Sequence, residues 1–183
     1  RSSSLAPAEG DGTAANPYKI SSIDDLNLIQ ANQGADYRLT KNINTDGKTN
    51  FSASYFSGTL DGAGFTITGL QKPLIQQNAG TIKNLNIVAD FDYDSHDIHG
   101  VVAQYNTGKI QDCKVTGTVT GHMGSTSSMS HPAFGGIVGE NEVAGTISGC
   151  SSGVDISISM TATDSYGGGI AGVNIGIIEK CVA

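Results

Sequence analysis

Within VADFDYDSHDIHG, residues 88–100, Asp90, Asp92, Asp94 and Asp97 fall inside eight positions, with His96 and His99 beside them. Carboxylates and imidazoles at that density can ligate a metal ion or carry out acid–base chemistry. Side chains of a strand alternate between its faces, however. Asp90, Asp92 and Asp94 therefore share one face, and Ala89, Phe91 and Tyr93 the other. Carboxylates two residues apart on one face lie ~7 Å apart, so three cannot bind one ion without a loop. Asp94, His96 and Asp97, at the end of the run, are the residues that can supply it. The EF-hand pattern is not met, because Ser95 takes the glycine position and no glutamate stands at the twelfth. No metal is expected here, and Asp94, His96 and Asp97 are the candidate ligands should one bind.

What positions these residues is an internal repeat. NAGTIKNLNI from Asn78, NTGKIQDCKV from Asn106, NEVAGTISGCSSGV from Asn141 and NIGIIEKCVA from Asn174 share one pattern. Ile82, Ile110, Ile147 and Ile178 head it at spacings of 28, 37 and 31 residues, and Leu85, Cys113, Cys150 and Cys181 close it. GVVAQYN, GGIVGEN and GGIAGVN precede the last three copies, and PLIQQN the first. A unit of this length, with short β-branched runs and Gly/Asn corners, reads as one coil of a β-solenoid. Coils stack at a rise of ~4.8 Å, so equivalent positions form columns. Carrying that register forward sets Thr118, Thr120 and His122 beside the three aspartates, followed by Asp155, Ser157 and Ser159.

The 183 residues include 25 glycines and no tryptophan, and lack long Ala/Glu/Lys/Leu-rich helices, which places the chain in the all-β class. SSIDDLNLIQANQ, residues 21–33, is the one predicted helix, with Ser22 as N-cap and Ile23, Leu26 and Ile29 on one face. It is expected to cap the open end of the stack. Residues 1–14 are expected to be flexible and 15–183 to form a single domain, with the cap and first coils in 15–72 and the repeats in 73–183. The fourth repeat stops without a cap, which suggests a piece of a longer protein. A formal net charge of −7 gives no footprint for nucleic acid. No run approaches the ~18 apolar residues of a membrane span.

NPYKISSIDDLNLI, YRLTKNINTD and FSGTLDGAGFTITGL resemble the opening coils of bacterial cell-surface β-helix proteins. GGIVGEN…GTISGC and GGIAGVNIGIIEKC resemble the GLUG repeat. Such proteins include surface adhesins and N-terminal regions of immunoglobulin-A-cleaving zinc proteases. The resemblance implies a right-handed parallel β-helix, secreted or on the bacterial surface, and no catalytic residues.

An outward row of Asp90, Asp92, Asp94, Thr118, Thr120 and Asp155 is then the candidate ligand-binding surface, though a solvated strand face looks the same. A polysaccharide lyase would need basic groups beside its carboxylates, and Lys114 is the nearest. Thr116, Thr118 and Thr120 lack the flat threonine lattice of an ice-binding surface. His122, Met123, Met129 and His131 are soft ligands in an irregular loop, 121–136, where a recognition surface is more readily built than a copper site. The three cysteines share one inward column whose parallel Cβ vectors do not converge on a disulfide, so buried thiols are expected. Tyr18, Tyr37, Tyr55 and Tyr105 are candidate aromatic platforms. The chain reads as a non-catalytic, monomeric, adhesin-like module for a host protein or glycan, without cofactor. The alternative is the recognition region of a secreted protease or glycan-active enzyme whose chemistry lies outside this chain.

Overall fold

The computed structural model describes residues 9–46, 53–95, 97–123, 131–160 and 164–183. They are all-β apart from one short helical passage, and their strands pair in parallel throughout. Four sheets result, of seven, five, five and three strands. The chain passes through them in rotation. From the long strand Asn86–Ser95 it enters Ile98–Gly100, then Ala103–Asn106, then Lys109–Gln111, and reaches a second long strand, Lys114–Met123. The next circuit runs through Ala133–Gly135, Val138–Asn141 and Thr146–Ser148 to a third, Ser151–Met160.

Each strand pairs with its counterpart one circuit away, so the sequence repeat becomes a column in space. Ile82, Ile110, Ile147 and Ile178 pair in line; the first three are fully buried and Ile178 is half-buried. Leu85, Cys113 and Cys150 are buried in the next column and Cys181 is half-buried. All three cysteines are free thiols. The sulfur of Cys113 donates to the carbonyl of Gln111 (3.3 Å) and that of Cys150 to Ser148 (3.4 Å). The contact with Cys150, together with burial, pushes the Cys113 thiol well above its usual range. The same contact acts on Cys150 in the opposite direction, against the effect of its burial.

Local chemistry explains the corners. The residue before each of these column members turns in the left-handed region: Asn84 at φ 52°, Asp112 at 51°, Gly149 at 63° and Lys180 at 54°. Asn, Asp and Gly adopt that conformation most readily. The glycine of the Asn-x-Gly element has a different cause. A Cβ on Gly108 would run into the carbonyl oxygen of Gly80 in the preceding circuit.

The asparagine that opens each repeat lies inside. Asn78, Asn106 and Asn141 are fully buried, and their amides form a ladder. Asn78 Nδ2 donates to Asn106 Oδ1 (2.8 Å), Asn106 Nδ2 to Asn141 Oδ1 (2.9 Å) and Asn141 Nδ2 to Asn174 Oδ1 (2.9 Å). In the circuit before, Phe56 stands in register with Asn78.

The helix is shorter than the predicted 21–33. An α-helix spans Ile23–Asn27 and continues as a 3-10 turn over Leu28–Ala31. Its start matches the expected cap: Asp25 N donates to Ser22 Oγ (3.1 Å), and Ser21 N donates back to the Asp25 carboxylate (2.9 Å). Leu26 and Ile29 are buried, and Ile23 is half-buried. The helix ends early because Gln33 is drawn into the next circuit, where its carbonyl accepts from Ser57 N (2.9 Å). The described part of residues 1–14 is tied down by Lys19 N to Glu9 O (3.0 Å) and Asp36 N to Gly12 O (2.9 Å).

Candidate ligand-binding surface

The three long strands, ten residues each, form one five-stranded sheet with Thr66–Leu70 and Ile43–Asn44. Ile87, Ala89, Phe91, Val115 and Val119 point into the core. Phe91 meets Phe134 edge-on, with ring centroids 6.4 Å apart. Alternation then turns the intervening polar residues outward. Three columns result: Asp90–Thr118–Asp155, Asp92–Thr120–Ser157 and Asp94–His122–Ser159. Asp90, Asp92, Asp94, Thr118, Thr120 and Asp155 are all exposed. Along the third column a side-chain bridge joins His122 Nδ1 and Ser159 Oγ (2.9 Å). The surface is a polar grid at strand spacing, able to offer donors and acceptors to a ligand laid across it.

The corner after Ser95 falls only in part among the described residues. His96, Met129 and the side chains of Tyr93 and Met123 lie outside the described set. Asp97 is exposed, accepts from its neighbour Ile98 N (2.8 Å), and acts electrostatically on His99 and Tyr105. Among the described residues no group of three or more His, Cys, Asp or Glu is placed to hold a metal. His131 faces Asp164 (3.8 Å).

The four tyrosines part company. Tyr37 is 1% exposed and cannot be a platform. Its hydroxyl donates to Asn32 O (2.7 Å), its ring packs against Tyr18 and Phe56, and burial pushes its phenol up to about 12. The reason is alternation: in Tyr37–Leu39 the arginine between them takes the outer face. Tyr18 is half-buried against Tyr37, Tyr105 is half-buried, and Tyr55 is 43% exposed. Tyr55, Gln77 and Tyr105 occupy one outward column of the other five-stranded sheet, with Glu140 next.

A second surface went unread in the sequence. A groove of about 250 Å³ is lined by Lys72, Pro73, Gln76, His99 and Gln104. Burial holds the His99 imidazole below its ordinary pKa, against the pull of Asp97. Burial raises the Tyr105 phenol, and the charges of Asp97, Glu140 and Glu142 add to it. The only signal available beforehand was the glutamine pair in equivalent repeat positions.

No family model matches the chain. Over 89% of its length it is 29% identical to halomucin of Haloquadratum walsbyi, of which it spans 2%. The crystal structure of a candidate immunoglobulin A1 protease from Bacteroides ovatus superposes with a TM-score of 0.62 at 17% identity, covering 97% of this chain and 77% of that one. This likeness establishes a shared fold.

Proposed function

We propose that residues 15–183 form a right-handed parallel β-helix of GLUG-type repeats, belonging to a secreted or bacterial cell-surface protein. The module acts without catalysis or cofactor of its own, as an adhesin-like display surface for a host protein or a glycan. It works as a monomer, and neither nucleic acid nor membrane insertion is part of its role. The observation that carries this reading is the outward grid of Asp90, Asp92, Asp94, Thr118, Thr120 and Asp155, held at strand spacing by a buried core. The similarity to halomucin and the fold shared with the Bacteroides ovatus protein support a place outside the cell. Binding of the chain to a glycan array and to immobilised mucins and immunoglobulin A, with reducing-sugar release followed in parallel, tests it. Binding without sugar release is expected. Sugar release, or no binding to any of these, overturns the reading.

The second reading is the recognition region of a secreted protease or glycan-active enzyme, and the candidate protease of the same fold favours its protease form. Selective binding to immunoglobulin A over the glycans would support that form.

A further inference from the structure

We infer that the groove of Gln76, Gln104 and His99, with the Tyr55–Gln77–Tyr105 column beside it, is a binding site for an uncharged saccharide chain. The inference rests on the display-module reading above and assigns its ligand to a different sheet from the aspartate grid.

The groove exists because a short strand ends over it. Ile98–Gly100 is the edge strand of the three-stranded sheet. In the following circuit Gly139 stands where Gln104 stands in this one, and a Cβ there would collide with Ile98, 2.8 Å from Gln104 O and 2.9 Å from His99 N. Glycine therefore lets the short strand lie across the outer face. One circuit earlier, Lys72 and Pro73 run without strand structure, and Pro73 has no N–H to offer the open edge. The uncovered floor is Gln76 beside Gln104, in register at ~4.8 Å.

The lining fits hydroxyls better than charge. Each carboxamide presents a donor and an acceptor side by side, which suits vicinal hydroxyl groups, and two lie at neighbouring points. The imidazole of His99, held neutral by burial, adds a further polar contact, and Pro73 adds an apolar one. Lys72 is the single charged residue of the lining, and the three acids that act on the adjoining Tyr105, Asp97, Glu140 and Glu142, outnumber it, which favours an uncharged chain over an anionic one. Gln77 is already oriented, its Nε2 donating to Thr107 Oγ1 (3.2 Å). Tyr55 and Tyr105 are two circuits apart, ~10 Å along the stack, a length comparable with a disaccharide. Aromatic faces stacked against sugar rings, flanked by amides, make a linear site parallel to the stack.

Cellohexaose, xylohexaose, mannohexaose and N-acetylchitohexaose, with hexagalacturonate as the charged counterpart, test this in NMR titrations of the 183-residue chain. With at least one uncharged probe, the side-chain amides of Gln76 and Gln104 and the Tyr105 ring are expected to shift together. Tyr105→Ala should weaken that binding about tenfold. Gln104→Ala, at a surface position, should weaken it by a smaller factor and guards against a folding defect in the first variant. Silence of the groove toward all four uncharged probes, or a response to hexagalacturonate alone, overturns the inference. Shifts confined to Asp90, Thr118 and Asp155 would overturn the groove while leaving the display reading intact. Loss of all glycan and protein binding would remove both.

Discussion

The two five-stranded sheets use one repeat to opposite ends. In one, a polar residue recurs on the inner side: Asn78, Asn106 and Asn141, fully buried, each amide bonded to the next. In the other, polar residues recur on the outer side: Asp90, Thr118 and Asp155, exposed to solvent. Stacking makes columns in both cases, and burial decides what a column does. The inner one needs an unbroken chain of partners, because an unpaired amide there pays desolvation with nothing in return. The outer one needs none, so its composition is free to vary among Asp, Thr and Ser.

Asn106→Ala is the largest test of that contrast. It removes the short bond from Asn78 Nδ2, leaving only long contacts to Gly80 O and Lys109 O (both 3.4 Å), and takes the Asn106 donor from Asn141 Oδ1. A loss of about 2–4 kcal/mol is expected in urea denaturation. Thr118→Ala, on the exposed column, should stay within about 0.5 kcal/mol. If the two variants unfold together, the contrast between the sheets fails.

Gly139→Ala comes next. It sharpens the contrast by asking whether the ladder-bearing sheet is covered on its outer face. The added Cβ meets the backbone atoms Gln104 O at 2.8 Å and His99 N at 2.9 Å, which no side-chain rotation can relieve. A cost of about 1–3 kcal/mol follows. It should be accompanied by shifted amide resonances at Ile98–Gly100 and unchanged ones at Asp90–Asp92. Equal perturbation of both sheets would show that they do not respond independently.

The grid on the long strands was legible because strand periodicity is two and the repeat fixes the offset. Asp90, Thr118 and Asp155 fall together on those grounds alone. The free thiols followed from their shared repeat position. The placement of Tyr37 was legible and was missed: Tyr18–Ile20 and Tyr37–Leu39 both put a basic residue between two apolar ones, which turns the tyrosine inward. The asparagine ladder was half-visible. A recurring Asn reads equally well as a turn former, and only burial distinguishes the two. The groove left no more in the sequence than Gln76 and Gln104 at equivalent repeat positions. It depends on where Ile98–Gly100 crosses the neighbouring sheet, which local periodicity does not specify.

His99, at the edge between the covered and uncovered parts of that sheet, gives a pH test. Burial lowers its folded pKa, while the unfolded imidazole titrates near its ordinary value of about 6.5. The unfolded chain therefore binds the proton first. The His99 contribution to stability is fully present above about pH 6.5 and is lost as pH falls through the folded value. Asp97 opposes the shift, Lys72 shares the groove, and the half-buried carboxyl of Glu140, raised by desolvation and by the charge of Glu142, contributes with the opposite sign. The difference between wild type and His99→Gln isolates the imidazole. Melting curves should converge as pH falls from about 7.5 to about 5.5 if His99→Gln is the less stable at neutral pH. A difference that does not change with pH would show that His99 titrates alike in both states.

The smallest effect belongs to the outer grid itself. Asp90, Asp92 and Asp94 are exposed and recur at every second position of one strand, ~7 Å apart, inside the Debye length of about 10 Å at 0.1 M salt. Like charges so placed repel, and the middle one bears on both neighbours. Asp92→Asn should therefore raise Tm slightly, by about 1 °C at low salt, with the gain disappearing at about 1 M. Solvent screening keeps the effect small, which is why an acidic row can persist on an exposed face where an unpaired amide could not persist inside. A rise in Tm that survives high salt would mean that the gain is not electrostatic. A fall would mean that the Asp92 carboxylate is held by partners in the folded chain, and the outer column would then need its neighbours as the inner one does.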